Sequence, residues 1–142
     1  MTTVQQLLDQ KGDTVWSVQP DDTVFDAIKL MADKDVGSIV VIKDGKPVGI
    51  FTERHYARNV FLKGRASPTT LVGDAMSKHV ICARPEQTVE ECMAVMTEKR
   101  VRHLPVLQRK KLVGIVSIGD LVKSEIANQK FTIEQLVEYI HG

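Results

Sequence analysis

The sequence predicts an α/β protein built from two pseudo-symmetric halves, each a strand–helix–strand–strand–helix unit with a small mixed sheet and flanking helices. Two observations carry this. Shifted by 65 positions, residues 15–58 align with residues 80–123 without a gap, with twelve identities in 44 columns, among them Pro20/Pro85, Thr23/Thr88, Met31/Met96 and Gly49/Gly114. Within each copy, short apolar segments with strand character alternate with segments whose apolar residues recur at helical spacing. The period is too long and the copies too few for a solenoid. Two copies imply a pair in which each half buries a face it could not bury alone.

The elements follow in order. Residues 1–11 (with TVQQLLDQ) read as an N-terminal helix, 12–66 as the first repeat, 67–76 as a linker, 77–130 as the second repeat and 131–142 (with TIEQLVEYI) as a C-terminal helix. Both terminal helices have apolar spacing suited to packing on the pair or on a partner. Each repeat opens with a short strand, VWSV or VICA, and a turn at Pro20 or Pro85. A helix follows with Val24, Ala27, Ile28 and Met31 on one face, matched by Val89, Cys92, Met93 and Met96. A capping box starts each, Thr23 with Asp26 and Thr88 with Glu91. Then come two strands around the turn KDGK, or around RKK without a glycine. Pro105 in the strand before RKK predicts an edge or irregular strand, because proline cannot donate to a ladder. A last helix follows Thr52 or Ser117, and in the first copy Gly64 is placed to end it.

Composition narrows the function. The apolar fraction, 43%, is that of a folded globular chain. Nineteen Lys and Arg against 18 Asp and Glu create no global field for nucleic acid or an anionic membrane. No run approaches a membrane span, and the N-terminus is too polar for a signal peptide. Cys82 and Cys92 fit neither zinc-knuckle nor redox spacing, and Cys92 reads as a small core residue. A reduced, cytoplasmic location is expected.

The chemistry concentrates where the third strand of each repeat meets its last helix. A Ser or Thr at a helix N-cap leaves backbone N–H groups that can hold phosphate or ribose oxygens. A carboxylate three residues on can accept from both ribose hydroxyls. The second copy has Ser117 and Asp120 in that relation; the first has Thr52 and His55. The same S-x-x-D spacing is also nearly a capping box, and spacing alone favours the cap. A histidine is not expected to replace a carboxylate in such a box, so the two junctions are expected to differ in role. Arg54 and Arg58 lie one helical turn apart beside the first junction, where guanidinium forks could hold phosphates. Arg102 and His103 open the strand opposite; His103 serves equally well as a hydrogen-bonded structural histidine. Gly37 and Ser38 stand at the same place in the first copy and would leave room for a base or ribose. Trp16 could stack on a base, though a core or domain contact suits it as well. Arg109, Lys110 and Lys111 read as a solvated hairpin tip.

The segments GIFTERHYAR, VRHLPV and GIVSIGDLVK, with the closing YIHG, make the chain resemble a tandem CBS-domain pair, the unit called a Bateman module, of the stand-alone bacterial kind. The resemblance covers the whole chain and leaves no catalytic domain. It implies two clefts between the sheets that take adenine nucleotides: AMP, ADP, ATP, and in some members NAD or S-adenosylmethionine. Carried over, the family motif gives Ser117 and Asp120 as ribose and phosphate contacts, with Ile81, Cys82, Ala83, His103, Leu104 and Pro105 lining the base pocket of the second half. The first half keeps Thr52 but has His55 where related sequences have aspartate. A pH-sensitive first cleft is one expected consequence.

The expected function is therefore a non-enzymatic adenine-nucleotide sensor, working as a homodimer and read by a protein target. A ligand-independent interaction scaffold that uses the terminal helices is the second possibility. No nucleophile–base pair, metal-ligand spacing or P-loop supports an enzyme, and binding to nucleic acid or membrane is not expected.

Overall fold

The computed structural model describes the backbone of residues 1–141 and the side chains of residues 1–137; the side chains of the closing YIHG segment lie outside the described residues. The order is α1 (Val4–Lys11), β1 (Ser17–Val18), α2 (Val24–Lys34), β2 (Ser38–Lys43), β3 (Lys46–Thr52) and α3 (Glu53–Tyr56), which runs into a π-helical turn (Ala57–Phe61). There follow α4 (Val72–Ala75), α5 (Val89–Lys99), β4 (His103–Gln108), β5 (Lys111–Ser117) and α6 (Ile118–His141).

The core helices form where the spacing predicts them. In α2 the residues Val24, Ala27 and Met31 are buried, and in α5 Val89, Cys92 and Met96. Burying each larger aliphatic side chain stabilises the fold by about 1.5–3 kcal/mol. Thr88 and Glu91 close a reciprocal capping box, whereas Thr23 only accepts from the Asp26 N–H, so the box expected there is half made. Both helices stop at a left-handed residue, Asp35 (φ 54°) and Arg100 (φ 56°). One residue on, Val36 and Val101 return N–H bonds to Met31 and Met96 at 3.0 and 3.1 Å.

The sheets are less equal than the repeat implies. In the first, β1 pairs parallel with β2, and β2 antiparallel with β3. In the second, β4 and β5 pair antiparallel, and the strand expected at VICA is reduced to a bridge between Ala83 and Val106. Pro105 supplies the reason. Its counterpart Val40 donates its N–H to the Trp16 carbonyl at 3.3 Å, and a proline has no N–H to give the matching Ile81 carbonyl. Only Ala83 remains bonded, donating to Pro105 O at 2.8 Å and accepting from Leu107 N at 2.9 Å.

Two straps cross over between the repeats. The segment before the first repeat docks on the second: Val4 N donates to Gln87 O, Gln5 N to Pro85 O, and Val89 N to Thr2 O. The segment before the second repeat docks on the first in the same way, through Val72 N to Asp22 O, Gly73 N to Pro20 O and Val24 N to Thr70 O. Val4, Leu7 and Leu8 therefore join the core of Val89, Cys92, Met96 and Leu104, while Val72 and Ala75 join that of Val24, Met31 and Phe51. The span 67–76 is thus part of the first core rather than a plain linker. At the far end, α6 runs unbroken through residues 130 and 131, where the sequence reading placed a boundary.

Candidate functional site

Where β3 leaves the first sheet, Thr52 caps α3. Its hydroxyl accepts from His55 N at 3.2 Å, and its own N–H donates to His55 Nδ1 at 3.1 Å. The expectation that histidine cannot fill a capping box is overturned. The imidazole Nδ1 lone pair accepts at the reach of a carboxylate oxygen, and the Thr52 N–H takes it. Accepting at Nδ1 places the ring proton on Nε2. Burial lowers the His55 pKa below its ordinary value, and the charges of Arg54 and Arg58 lower it further.

The second junction has the same geometry with a carboxylate. Asp120 N donates to Ser117 Oγ at 3.1 Å, and Ser117 N donates to Asp120 Oδ2 at 2.8 Å. The same oxygen takes a second donor from 109 positions away in the chain, Lys11 Nζ at 2.6 Å, and that ammonium also bonds Ile115 O at 2.9 Å. Burial pushes the Asp120 carboxyl up, but the hydrogen bond from Lys11, the Ser117 N–H and the Lys11 charge together hold it below its ordinary value.

Between the repeats lies a cleft of about 300 Å³. From the first repeat it is lined by Gly37, Ile50, Thr52, Glu53, Arg54 and His55. From the second come Ile81, Arg100, Val101, Arg102, His103 and Pro105, with Ser77 and His79 from the strap. Among the described residues the ion pairs are Lys11–Asp120 and Arg84–Glu86, so Arg54, Arg100 and Arg102 reach the cleft without a carboxylate partner. Burial lowers the His103 pKa; Asp120 opposes this, while Lys11, Arg102 and His55 add to it. An opening with three arginines outside any ion pair, one carboxylate at Glu53, the His55 and His103 rings and apolar walls of Ile50, Ile81, Val101 and Pro105 has a net positive lining that suits a flat apolar ring attached to an anion.

The structure redistributes the residues picked from sequence. It gathers Gly37, Thr52, Arg54, His55, Ile81, Arg102, His103 and Pro105 around one cleft. Ile81, His103 and Pro105, expected at a base beside Ser117 and Asp120, thus share a cleft with the Thr52–His55 junction, while His103 also pairs with Ser117 in the sheet. The cause is the facing of the repeats, which a repeat-internal alignment does not contain. Ser117 and Asp120 stand outside this cleft. Ala83 and Leu104 are buried in the second core, because alternate residues of an extended segment turn to opposite faces. Cys82 is half-buried, with a thiol pKa raised by burial, and does not line the cleft. Ser38 is buried opposite Thr52 in the sheet. Arg58 is exposed and lies outside the lining. Trp16 enters neither core nor cleft; it is 37% exposed, with Lys34 Nζ 4.4 Å above its ring. The space beside Gly37 belongs to Glu53, whose Oε1 lies 3.1 Å from where a Cβ would stand.

Sequence reasoning missed Lys11, His79 and Arg100. A second shift, of 68 positions, aligns the straps and superposes Val4 on Val72, Leu8 on Met76 and Lys11 on His79. That register could have found the first two. Arg100 carries no such signal, since its place follows from the left-handed stop of α5.

Two crossed α/β repeats with a ligand-sized cleft between them define a tandem-repeat module. The CBS domain family model matches residues 13–61 and 72–126, and the chain belongs to the CBS-domain family as a tandem pair. It is 38% identical over 151 residues to the mitochondrial CBS domain-containing protein CBSX3 of Arabidopsis thaliana, covering 99% of this chain and 73% of that protein. A solved CBS-domain protein of Burkholderia ambifaria MC40-6 superposes with a TM-score of 0.87 at 51% identity, over 90% of this chain and 96% of the other. The fold also matches, at a TM-score of 0.80 and 19% identity over 90% and 98% of the two chains, the CBS domain pair of protein MJ0100, solved with 5′-methylthioadenosine and S-adenosyl-L-methionine.

Proposed function

We propose that the chain is a non-enzymatic regulatory module that binds a phosphorylated adenine nucleotide, of the AMP, ADP, ATP or NAD type, in the cleft between its repeats. The observation that carries this reading is a cleft lining with three arginines outside any ion pair, Arg54, Arg100 and Arg102, against the single carboxylate of Glu53, around an apolar wall. Its volume of about 300 Å³ lies at the lower end of small-molecule sites. Pro105 supports adenine in particular. Because proline cannot donate, no hydrogen bond among the described residues reaches the carbonyl oxygen of Ile81, a cleft residue. An unpaired acceptor suits the exocyclic amino group of adenine and would repel the oxygen that guanine carries there. The Thr52 hydroxyl and the His55 Nε2–H offer polar contacts to ribose. The adenosine compounds bound by the MJ0100 pair are consistent with the same ligand class.

Binding signals by rearranging the two repeats or two copies of the chain. A second copy is favoured by one stripe of α6, where Val122, Ile126, Ile133, Leu136 and Val137 share a face and are 40–60% exposed. The same stripe would serve a ligand-independent scaffold, so ligand binding decides between the readings. Nucleotide-stripped chain is titrated calorimetrically with AMP, ADP, ATP, NAD and S-adenosylmethionine, beside Arg102→Ala. The reading expects the phosphorylated ligands to bind, and the variant to weaken them by roughly ten- to a hundredfold while adenosine is little affected. No heat from any of the five, with an unchanged melting temperature at millimolar ligand, leaves the scaffold.

A further inference from the structure

We infer that Lys11 decides which of the two junctions of this pair takes a nucleotide: its ammonium occupies one oxygen of the Asp120 carboxylate at the second junction and leaves the first as the open site, an inference that rests on the nucleotide reading above. The pseudo-two-fold relating the repeats calls for a second cleft at Ser117–Asp120. A ribose diol captured there donates its O–H groups to the carboxylate. Oδ2 of Asp120, however, already accepts from Lys11 Nζ at 2.6 Å and from Ser117 N at 2.8 Å, which leaves only Oδ1 to a ligand, so a diol cannot span both carboxylate oxygens while Lys11 stays. Lys11 is fixed a second time by the Ile115 carbonyl at 2.9 Å. It stands at the last turn of α1, whose Val4, Leu7 and Leu8 are buried in the second core. The plug is therefore built into a packed element rather than hanging from a loose end.

The first junction is the internal control. The strap that crosses it begins with the same three hydrogen bonds to its repeat, then leaves its helix at Ala75 and bridges Ser77 to Ile50, and the 68-residue shift aligns its His79 with Lys11 of the other strap. Among the described residues His79 makes no side-chain bond to Thr52 or His55, and it lines the open cleft. The inequality between the junctions thus comes from the straps, since both junctions are closed by equivalent capping boxes. A diol that spans both oxygens of Asp120 must displace an ion pair and a lysine–carbonyl bond that the first junction lacks.

The test is titration with ADP, followed by calorimetry and native mass spectrometry, on the stripped full-length chain and on Lys11→Met, which keeps the apolar stem. Lys11→Gln is the second variant, and thermal unfolding shows that each remains folded. The native chain is expected to take one ADP. Both variants are expected to take a second, bound roughly tenfold or more tightly than any second ADP on the native chain. Adding Asp120→Asn to Lys11→Met is expected to remove that second molecule. If the native chain already takes two, or if native and variants each take one with equal affinity, the role of Lys11 is overturned while the nucleotide reading stands. A second molecule that survives Asp120→Asn overturns it equally. Binding by none of the proteins overturns both.

Discussion

Thr52 and His55 hold each other at the first junction: His55 N donates to Thr52 Oγ1 at 3.2 Å, and Thr52 N donates to His55 Nδ1 at 3.1 Å. The second bond exists only while Nδ1 keeps its lone pair, so the cap and the neutral ring are one requirement. A protonated His55 would lose the bond and bring a third positive charge beside Arg54 and Arg58.

Stability should therefore fall as the solution is acidified through the histidine range. The pKa of His55 is lowered in the fold, so its contribution is fully present above the unfolded value of 6.5 and is lost as pH falls from there through the folded value. His103 is lowered as well and acts with the same sign. Urea unfolding between about pH 5 and pH 8 is expected to show this fall. His55→Asp preserves the cap and should reduce the slope without abolishing it, because His103 remains. His55→Ala should cost about 1 kcal/mol above the window, the usual value of a lost cap interaction. A slope unchanged in His55→Asp would show that the ring titrates alike in folded and unfolded chains.

The two sheet glycines carry the straps and predict unequal costs. A Cβ on Gly49 would stand 2.4 Å from Met76 Sδ and 2.8 Å from the Ser77 carbonyl oxygen. One on Gly114 would meet Leu8 Cδ2 at 2.7 Å. Side-chain ends can yield, but Ser77 O is backbone and already accepts Ile50 N at 3.0 Å. Gly49→Ala should destabilise by about 2–3 kcal/mol and Gly114→Ala by about 1–2 kcal/mol, the range of overpacked cores. Leu8→Ala combined with Gly114→Ala should cost less than the sum of the two single changes, as a double-mutant cycle would record. Additive costs would mean that α1 does not rest on Gly114.

What the sequence made legible was whatever repeats inside one copy. The 65-residue shift located both core helices and both hairpins, because burial of one face leaves a period that any reader can count. It failed where geometry joins distant segments. Nothing near Lys11 points to Asp120, and nothing near Ile81 points to Thr52, since those meetings depend on how the straps cross and how the repeats face. The strand at VICA fails for a local reason that is visible in the sequence: Pro105 has no N–H to give the Ile81 carbonyl. His55 failed on chemistry, because a capping box needs an acceptor and not a carboxylate.

The hairpin turns give a prediction from backbone alone. Both put two central residues in the left-handed region, Asp44 (φ 53°) and Gly45 (φ 76°) in the first, and Arg109 (φ 52°) and Lys110 (φ 67°) in the second. The first uses residues suited to this turn, and the second uses two that pay for the conformation with strain. Arg109→Asn with Lys110→Gly should raise stability by up to about 1 kcal/mol, the strain relieved being partly offset by glycine's freedom in the unfolded chain. Denaturant midpoints with unchanged m-values would record it.

Phe61 and Ile126 occupy equivalent positions 65 residues apart, one on the π-helical turn and one on α6, and are 68% and 58% exposed. Each follows its own junction, so a surface that joins two copies through these helices would touch both junction-bearing ends of the module at once. Placing a charge at either position should cost association without disturbing the cores, because neither residue belongs to the buried clusters. Phe61→Asp and Ile126→Asp are each expected to weaken a dimer by about 2 kcal/mol or more, some thirtyfold in dissociation constant, and together to give monomers. Sedimentation equilibrium of the native chain and the three variants measures this directly. If the native chain sediments as a monomer at micromolar concentration, the exposed stripe is open to other partners; if it is a dimer that both changes leave intact, the copies meet on another face.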